Sequence, residues 1–187
     1  MAKLSFVFSS MNSGKTVSLL TKNFMLREKG YRTLLVKPEL DDRTNTISSR
    51  IGLEEECVIL GKSESGFEIV KHIIDETGII NYVLVDEAQF LTKKHVWELS
   101  DLVDYREVNV ICYGLKINWQ GELFEGSKEL LALSDELIQM DSICSETGNV
   151  SLFHYKKGGS PDSVETGYED LYDTVSRKVW KDRNKNC

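Results

Sequence analysis

The segment Ser9–Thr16 constrains the fold of this chain more than any other part of the sequence. It follows an apolar run, residues 4–8, and ends in Gly-Lys-Thr. A strand that leads into such a loop and then into a helix is typical of a phosphate-binding loop, whose backbone N–H groups surround the phosphates of a nucleotide. The usual pattern begins with glycine, and Ser9 stands in that place here. We therefore predict a nucleotide site formed by Ser9, Ser10, Met11, Asn12, Ser13, Gly14, Lys15 and Thr16.

A second acidic motif fits the same site. The apolar run 82–85 ends in Asp86 and Glu87. In nucleotide-binding folds of this kind, an acidic residue at the end of a neighbouring strand holds Mg²⁺ together with the loop hydroxyl, here that of Thr16. Glu87 then stands where a base for an acceptor hydroxyl is needed. The alternative is that both carboxylates only cap the following helix.

Strands and helices alternate along the chain, which predicts an α/β fold with a mostly parallel sheet. Near-continuous apolar strands fit burial on both faces. Polar residues 39–52 lack periodicity and are predicted to form a loop over a ligand, and a small, less regular unit follows residue 140. The predicted strands are 4–8, 33–36, 58–60, 82–85 and 108–113, and the predicted helices are 17–25, 67–75, 93–103 and 130–137.

Composition excludes several classes of function. The net charge is −7 and no long block of Lys or Arg occurs, which disfavours nucleic acid as a partner. No apolar run reaches 18 residues, the N-terminus lacks the pattern of a signal peptide, and the four cysteines are scattered. We therefore expect a cytoplasmic protein with reduced thiols and no membrane partner.

Several segments in order point to one family. They are Met11–Thr16, Lys37-Pro38 through Asp41-Asp42-Arg43, Ser49–Gly52, Val85–Leu91, Tyr113–Leu115 and Gly121–Ser127. In these segments the chain resembles the cytosolic-type (type II) thymidine kinases, bacterial and phage members above all. The resemblance implies a P-loop, RecA-like kinase domain over residues 1–140. It also implies a small irregular domain over residues 141–187 that closes over the nucleoside base.

The resemblance further implies transfer of the ATP γ-phosphoryl group to the 5′-hydroxyl of thymidine, and of deoxyuridine, in deoxynucleotide salvage. Glu87 resembles the family's general base and Lys15 its phosphate lysine, while Thr16 and Asp86 would serve Mg²⁺. Arg43, Asp86 and Gln89 join the loop at the ATP site. The thymidine site implied by the family consists of Met11, Asp41, Phe90, Leu115, Trp119, Phe124 and Tyr172. For each aromatic residue the alternative is ordinary core packing.

The chain departs from the family at two places. Trp119 replaces a more usual Phe, and Ile117-Asn118 replaces a Thr-Asp pair. Many members hold structural zinc through four Cys or Cys/His ligands, but here only Cys144 remains, because the other positions carry Glu146 or Thr147, Ser176 and Val179. We therefore predict no zinc, and an ordinary buried thiol at Cys144. The three histidines, His72, His95 and His154, are predicted to be surface or packing residues.

Two other functions compete with the kinase. A catalytically weak or inactive homologue would bind nucleotide in a regulatory role, but such a protein would not need the base Glu87. A nucleic-acid-stimulated ATPase would need a basic groove, which the charge of −7 disfavours. By resemblance, we also expect a homotetramer that is inhibited by dTTP.

Overall fold

A computed structural model describes residues 1–39, 44–144, 146–157 and 172–184. The elements in chain order are β1 (Leu4–Ser9), α1 (Lys15–Glu28), β2 (Thr33–Pro38), β3 (Thr46–Ser48), β4 (Glu54–Glu56), β5 (Val58–Leu60), α2 (Gly66–Thr77), β6 (Tyr82–Val85), a 3₁₀ helix (Ala88–Phe90), α3 (Lys93–Arg106), β7 (Asn109–Leu115), α4 (Glu125–Leu133), β8 (Glu136–Gln139), β9 (Phe153–Lys156), β10 (Tyr172–Val175) and α5 (Arg177–Asn184).

The core is a six-stranded sheet in the order β5-β2-β6-β7-β1-β8, and every pair in it is parallel. Both faces of the sheet are covered. One apolar cluster packs α2, α3 and α4 against the strands, and a second packs α1 against the other face. This explains why β1 and β6 are apolar nearly throughout. The predicted α/β class with a mostly parallel sheet is confirmed.

Parallel pairing brings the carboxyl ends of the strands to one edge of the sheet. Ser9, the last residue of β1, pairs with Leu115 at the end of β7, while Val85 of β6 lies between Val36 and Cys112. The phosphate loop follows Ser9 and the acidic pair follows Val85. The sheet register therefore places the two motifs at the same edge.

Two predicted elements were wrong. The helix predicted at 130–137 ends at Leu133, and residues 136–139 form strand β8 beside β1. The Asp135 N–H donates to the Leu4 carbonyl, so pairing with the sheet edge outweighs local helical periodicity. The loop predicted at 39–52 contains β3, which pairs with β4 and buries Ile47.

The chain after residue 140 forms a smaller unit, as far as it is described. β9 and β10 pair antiparallel, and α5 packs against β9. A domain boundary at residue 140 stays a prediction. Within the described ranges, no helix is both long enough and apolar enough to cross a membrane.

Candidate active site

The phosphate loop turns through two left-handed residues before α1 begins. Asn12 has φ 59° and Gly14 has φ 79°, and the helix starts at Lys15. No side chain in the described part of the chain caps this helix end. The first-turn N–H groups and the positive end of the helix dipole therefore face the loop, an arrangement suited to binding phosphate.

Lys15 lies folded into this loop. Its Nζ atom is 2.7 Å from the Ser10 carbonyl oxygen and 3.3 Å from Ser9 Oγ. Loss of hydration lowers the pKa of Lys15, and the negative charges of Glu87 and Asp86 oppose that shift. The Ser10 hydroxyl is buried and has no hydrogen-bond partner within the described residues. The ammonium group thus occupies the position where phosphate oxygens would need a cation.

Asp86 and Thr16 connect the acidic pair to the loop. The Thr16 hydroxyl donates to Asp86 Oδ2 at 3.1 Å, and the Asp86 N–H donates to the Val36 carbonyl. Burial raises the pKa of Asp86 to about 7, and the charge of Glu87 adds to the rise. Hydrogen bonds from Thr16 and the backbone, together with the charge of Lys15, oppose it.

Glu87 is held in a fixed orientation beside Asp86. It adopts φ 51°, the left-handed region, at the start of the 3₁₀ helix. The Gln89 amide donates to Glu87 Oε2 at 2.5 Å, while Gln89 Oε1 accepts the Leu115 N–H at 3.0 Å. Because Gln89 is buried, this bond to the end of β7 fixes the side chain that in turn orients the carboxylate.

Two glycines permit this close packing. A Cβ atom on Gly114 would lie 2.7 Å from Gln89 Oε1, and one on Gly126 would lie 2.4 Å from the Ala88 carbonyl oxygen. The absence of side chains there lets β7 and α4 approach the 3₁₀ helix that carries Gln89.

Phe90 and Phe124 form an aromatic pair next to the acidic residues. Their ring centroids are 5.7 Å apart and their planes are inclined at 73°. Both rings remain half-buried, as expected of residues that line a site rather than fill a core. Leu115 lies at the end of β7, and its carbonyl accepts the hydroxyl of Ser127 at 2.5 Å.

Comparison with known proteins agrees with this geometry. The family described as thymidine kinase matches residues 2–180. The chain belongs to the thymidine kinase family. It is 41% identical to a thymidine kinase of Xanthomonas oryzae pv. oryzae over 97% of this chain and 90% of that protein. It is 39% identical to thymidine kinases of Photobacterium profundum and Escherichia coli O157:H7, again over 97% of this chain and over 98% and 92% of those proteins.

One solved structure, of a DNA replication initiation factor, resembles 75% of this chain and 40% of its own, with TM-score 0.39 and 16% identity. That likeness is too weak to bear on function. The family assignment therefore rests on the sequence relatives and the family match, and these cover nearly the whole chain.

The other predicted thymidine-site residues are spread around the loop. Tyr172 is buried in β10 and, with Asn12 and Ser13, lines a cavity of about 450 Å³. Trp119 is half-buried, and its carbonyl accepts the indole N–H of Trp180 at 2.9 Å. The predicted residues Asp41 and Arg43 lie outside the described residues.

The histidines include one residue whose role the sequence did not reveal. His95 is buried in a capping box with Thr92, and His72 is exposed, as predicted. His154, however, does more than pack. Its ring nitrogens lie within hydrogen-bond distance of the Met11 N–H and the Ile117 carbonyl. Both partners are backbone groups, so no residue spacing could have pointed to them.

Cys144 is buried, as predicted, and its sulfur accepts several hydrogen bonds. Burial opposes its ionisation, yet hydrogen bonds from the Thr147 hydroxyl and from the backbone N–H groups of Ser176, Glu146 and Thr147 outweigh it and lower the pKa to about 7. The described ranges contain no group of three or more His, Cys, Asp or Glu residues arranged to hold a metal. The absence of zinc stays a prediction.

Proposed function

We propose that this protein transfers the γ-phosphoryl group of ATP to the 5′-hydroxyl of thymidine, and of deoxyuridine, giving the nucleoside monophosphate. The observation that carries the proposal is the meeting of Lys15, the Thr16–Asp86 pair and Glu87 at one edge of the sheet. Family membership supplies the substrate class. Phosphoryl transfer depends mainly on positioning and charge stabilisation, and this cluster offers both.

Each residue has one task in this proposal. The phosphate loop and the N-terminus of α1 bind the phosphates, and the Lys15 ammonium neutralises their charge. Glu87, oriented by Gln89, accepts the proton of the 5′-hydroxyl as that oxygen bonds to the γ-phosphorus and the bond from this phosphorus to ADP breaks. The half-buried rings of Phe90 and Phe124 lie next to Glu87 and offer flat surfaces to the pyrimidine of the nucleoside. Met11, Leu115, Trp119 and Tyr172 complete the proposed nucleoside site.

The residues present also fit Mg²⁺. The Thr16 hydroxyl and the Asp86 carboxylate are hard oxygen ligands 3.1 Å apart, and Mg²⁺ is bound by one or two such groups together with substrate phosphates. When bound, the ion supplies charge neutralisation to the phosphate oxygens. Binding would also offset the cost of ionising buried Asp86, because a cation favours the carboxylate form.

The test is a direct assay. Purified protein is incubated with labelled ATP and a panel of nucleosides, with Mg²⁺ or with a chelator. Label should appear on thymidine and deoxyuridine, little should appear on purine nucleosides, and none should appear with the chelator. ATP binding without any labelled nucleoside would disprove the kinase and favour the regulatory homologue.

Three finer features belong to the same proposal. Self-association into a homotetramer is supported by Leu137 and Ile138, which are exposed on the edge strand β8. Inhibition by dTTP is supported by the family resemblance, since the end product shares the thymidine and phosphate groups that the site recognises. A cytoplasmic location agrees with the scattered cysteines. Light scattering and a dTTP titration of the assay test the first two.

A further inference from the structure

The antiparallel strands β9 and β10 hydrogen-bond to the phosphate loop at Met11. Thr174 and His154 lie directly opposite each other on β10 and β9. The Thr174 hydroxyl donates to the Met11 carbonyl at 3.1 Å, and the Met11 N–H donates to His154 Nδ1 at 3.4 Å. One cross-strand pair therefore binds both backbone polar groups of Met11. We call His154 and Thr174 the Met11 clamp.

His154 also reaches the nucleoside side of the site. Its Nε2 atom is 3.0 Å from the Ile117 carbonyl oxygen, two residues before Trp119. Since Nδ1 accepts the Met11 N–H, the neutral ring carries its proton on Nε2 and donates it to that carbonyl. A single buried imidazole thus connects the phosphate loop to the segment that leads to Trp119 and Phe124.

This connection requires a neutral ring. A protonated imidazole would direct an Nδ1–H group at the Met11 N–H, so two donors would face each other. Burial lowers the pKa of His154 to about 4, and the nearby charge of Lys15 adds to that effect, while the bond to the Ile117 carbonyl opposes it. The ring is therefore neutral at physiological pH and both bonds are kept.

The residue after Met11 explains why a clamp is useful. Asn12 holds φ 59°, a left-handed conformation that Asn adopts more readily than most residues other than glycine but that is still uncommon. The Arg50 guanidinium donates to the Asn12 side-chain oxygen at 2.8 Å, and the Thr174 bond adds a restraint on the peptide that precedes Asn12. Fixing Met11 on both of its polar groups keeps the loop in one shape before the nucleotide arrives.

We propose that His154 and Thr174 are positioning residues that preorganise the phosphate loop, and that His154 couples ATP binding to the nucleoside side of the site. The coupling half of this inference rests on the proposed kinase function. The preorganisation half needs only nucleotide binding.

Substitutions at His154 can separate its two bonds. His154→Asn places an amide oxygen near the position of Nδ1 and keeps an acceptor for Met11. His154→Gln places an amide nitrogen near the position of Nε2 and keeps a donor for Ile117. His154→Leu removes both bonds, and Thr174→Val removes one hydroxyl without changing side-chain shape. His72→Leu, on the exposed face of α2, is the matched control.

Calorimetry with Mg²⁺ and ATP gives the first readout. For His154→Leu and for Thr174→Val, we expect the Kd for ATP to rise about 3- to 10-fold, the effect of losing one hydrogen bond to Met11. His154→Asn should keep the ATP affinity and raise the KM for thymidine. His154→Gln should raise the Kd for ATP and keep the KM for thymidine. The control should match wild type in both. Because both clamp residues hold the same residue, Met11, the double variant should lose less than the two single losses combined.

Melting temperatures measured on the same samples separate positioning from folding. If His154→Leu and Thr174→Val melt lower than wild type but keep the ATP Kd within about twofold, the residues only support the fold and the clamp is disproved. If His154→Leu fails to fold, the ATP Kd and melting temperature of Thr174→Val alone test the clamp. Wild-type turnover of thymidine tests the kinase proposal separately, since the ATP affinities decide the clamp even if no nucleoside is phosphorylated.

Discussion

The Thr16 hydroxyl donates to Asp86 across 70 positions of sequence, and this bond joins the end of the phosphate loop to the end of β6. It satisfies one oxygen of a buried carboxylate whose neighbour, Glu87, bears the same charge. Burial and that like charge make ionised Asp86 unfavourable in the ligand-free protein, and the pKa of Asp86 rises to about 7. The nucleotide site is therefore destabilised until a cation arrives.

Asp86→Asn should stabilise the ligand-free protein at pH 8. Between the unfolded pKa of 3.8 and the folded pKa of about 7, Asp86 binds more protons in the folded state than in the unfolded state, so its own contribution to stability falls as pH rises through this window. The variant lacks this penalty. Melting in the presence of a chelator should show a higher Tm for the variant at pH 8, by about 2–4 °C per kcal/mol, and a smaller difference near pH 4.

The control for this experiment is Asp104→Asn, on the exposed surface of α3, which should not alter the pH dependence. Asp86→Asn should also lose Mg²⁺-dependent activity, because one of two proposed ligands is gone. A variant that is less stable than wild type at pH 8 would contradict the assignment of a buried, unfavourable charge.

Glu87→Gln should reduce turnover about 10²- to 10⁴-fold, the usual contribution of a general base. Its shape is preserved and its amide oxygen can still accept the Gln89 amide hydrogen, so the fold and the ATP affinity should be unchanged. Steady-state kinetics and calorimetry on one preparation measure both quantities, with the exposed Glu28→Gln as control. Near-normal turnover would show that Glu87 is not the general base.

Gly126→Ala should damage the active site through packing alone. The new Cβ would lie 2.4 Å from the Ala88 carbonyl oxygen and 2.9 Å from that of Leu91, both backbone atoms. Relief requires a shift of the 3₁₀ helix that carries Gln89, at a cost of about 1–3 kcal/mol. We expect a lower Tm together with reduced kcat.

Gly66→Ala is the matched comparison. Gly66 also lies at the start of a helix, but its Cβ would come no closer than 3.4 Å to a Leu60 methyl group, which is ordinary van der Waals contact. Its stability and kcat should stay near wild type. If both alanine variants behave alike, close approach at Gly126 does not control the position of Gln89.

Phe124→Leu should weaken nucleoside binding selectively. One stacked ring is worth about 1–3 kcal/mol per base, which corresponds to a rise of about 5- to 150-fold in the KM for thymidine. The KM for ATP should be unchanged, because the ring contact of Phe124 is to Phe90, another residue of the proposed nucleoside site. Equal effects on both KM values would show that Phe124 packs structurally and is not part of the base site.

The contribution of His154 to stability should rise with pH between about 4 and 6.5, opposite in sign to the contribution of Asp86. The folded pKa is lowered to about 4 from 6.5, so in this window the unfolded state binds more protons and acid destabilises the fold. Urea unfolding across this range should show a less positive slope of unfolding free energy against pH for His154→Gln than for wild type. The exposed His72→Gln should retain the wild-type slope of stability against pH. An unchanged slope in His154→Gln would show that His154 is not the group responsible for this pH dependence.

The chemistry of the site could be predicted largely from local sequence. Gly14-Lys15-Thr16 after an apolar strand and Asp86-Glu87 after another are short motifs whose residue types suit phosphate and Mg²⁺. Each lies next to the strand that positions it, so spacing along the chain was enough. Residues 136–139 show the limit of such reasoning, because their helical periodicity was overridden by pairing with β1.

The sequence by itself determined the phosphate loop and the acidic pair, because each depends on residue types within a few positions of one another, and the sheet class and the family, because each depends on the order of such local patterns along the chain. Only the tertiary structure decided that Gln89 orients Glu87, that Gly126 must lack a side chain, and that His154 and Thr174 hold Met11. These relationships join distant segments through backbone atoms. Every residue offers the same backbone groups, so the sequence carries no sign of which ones will meet.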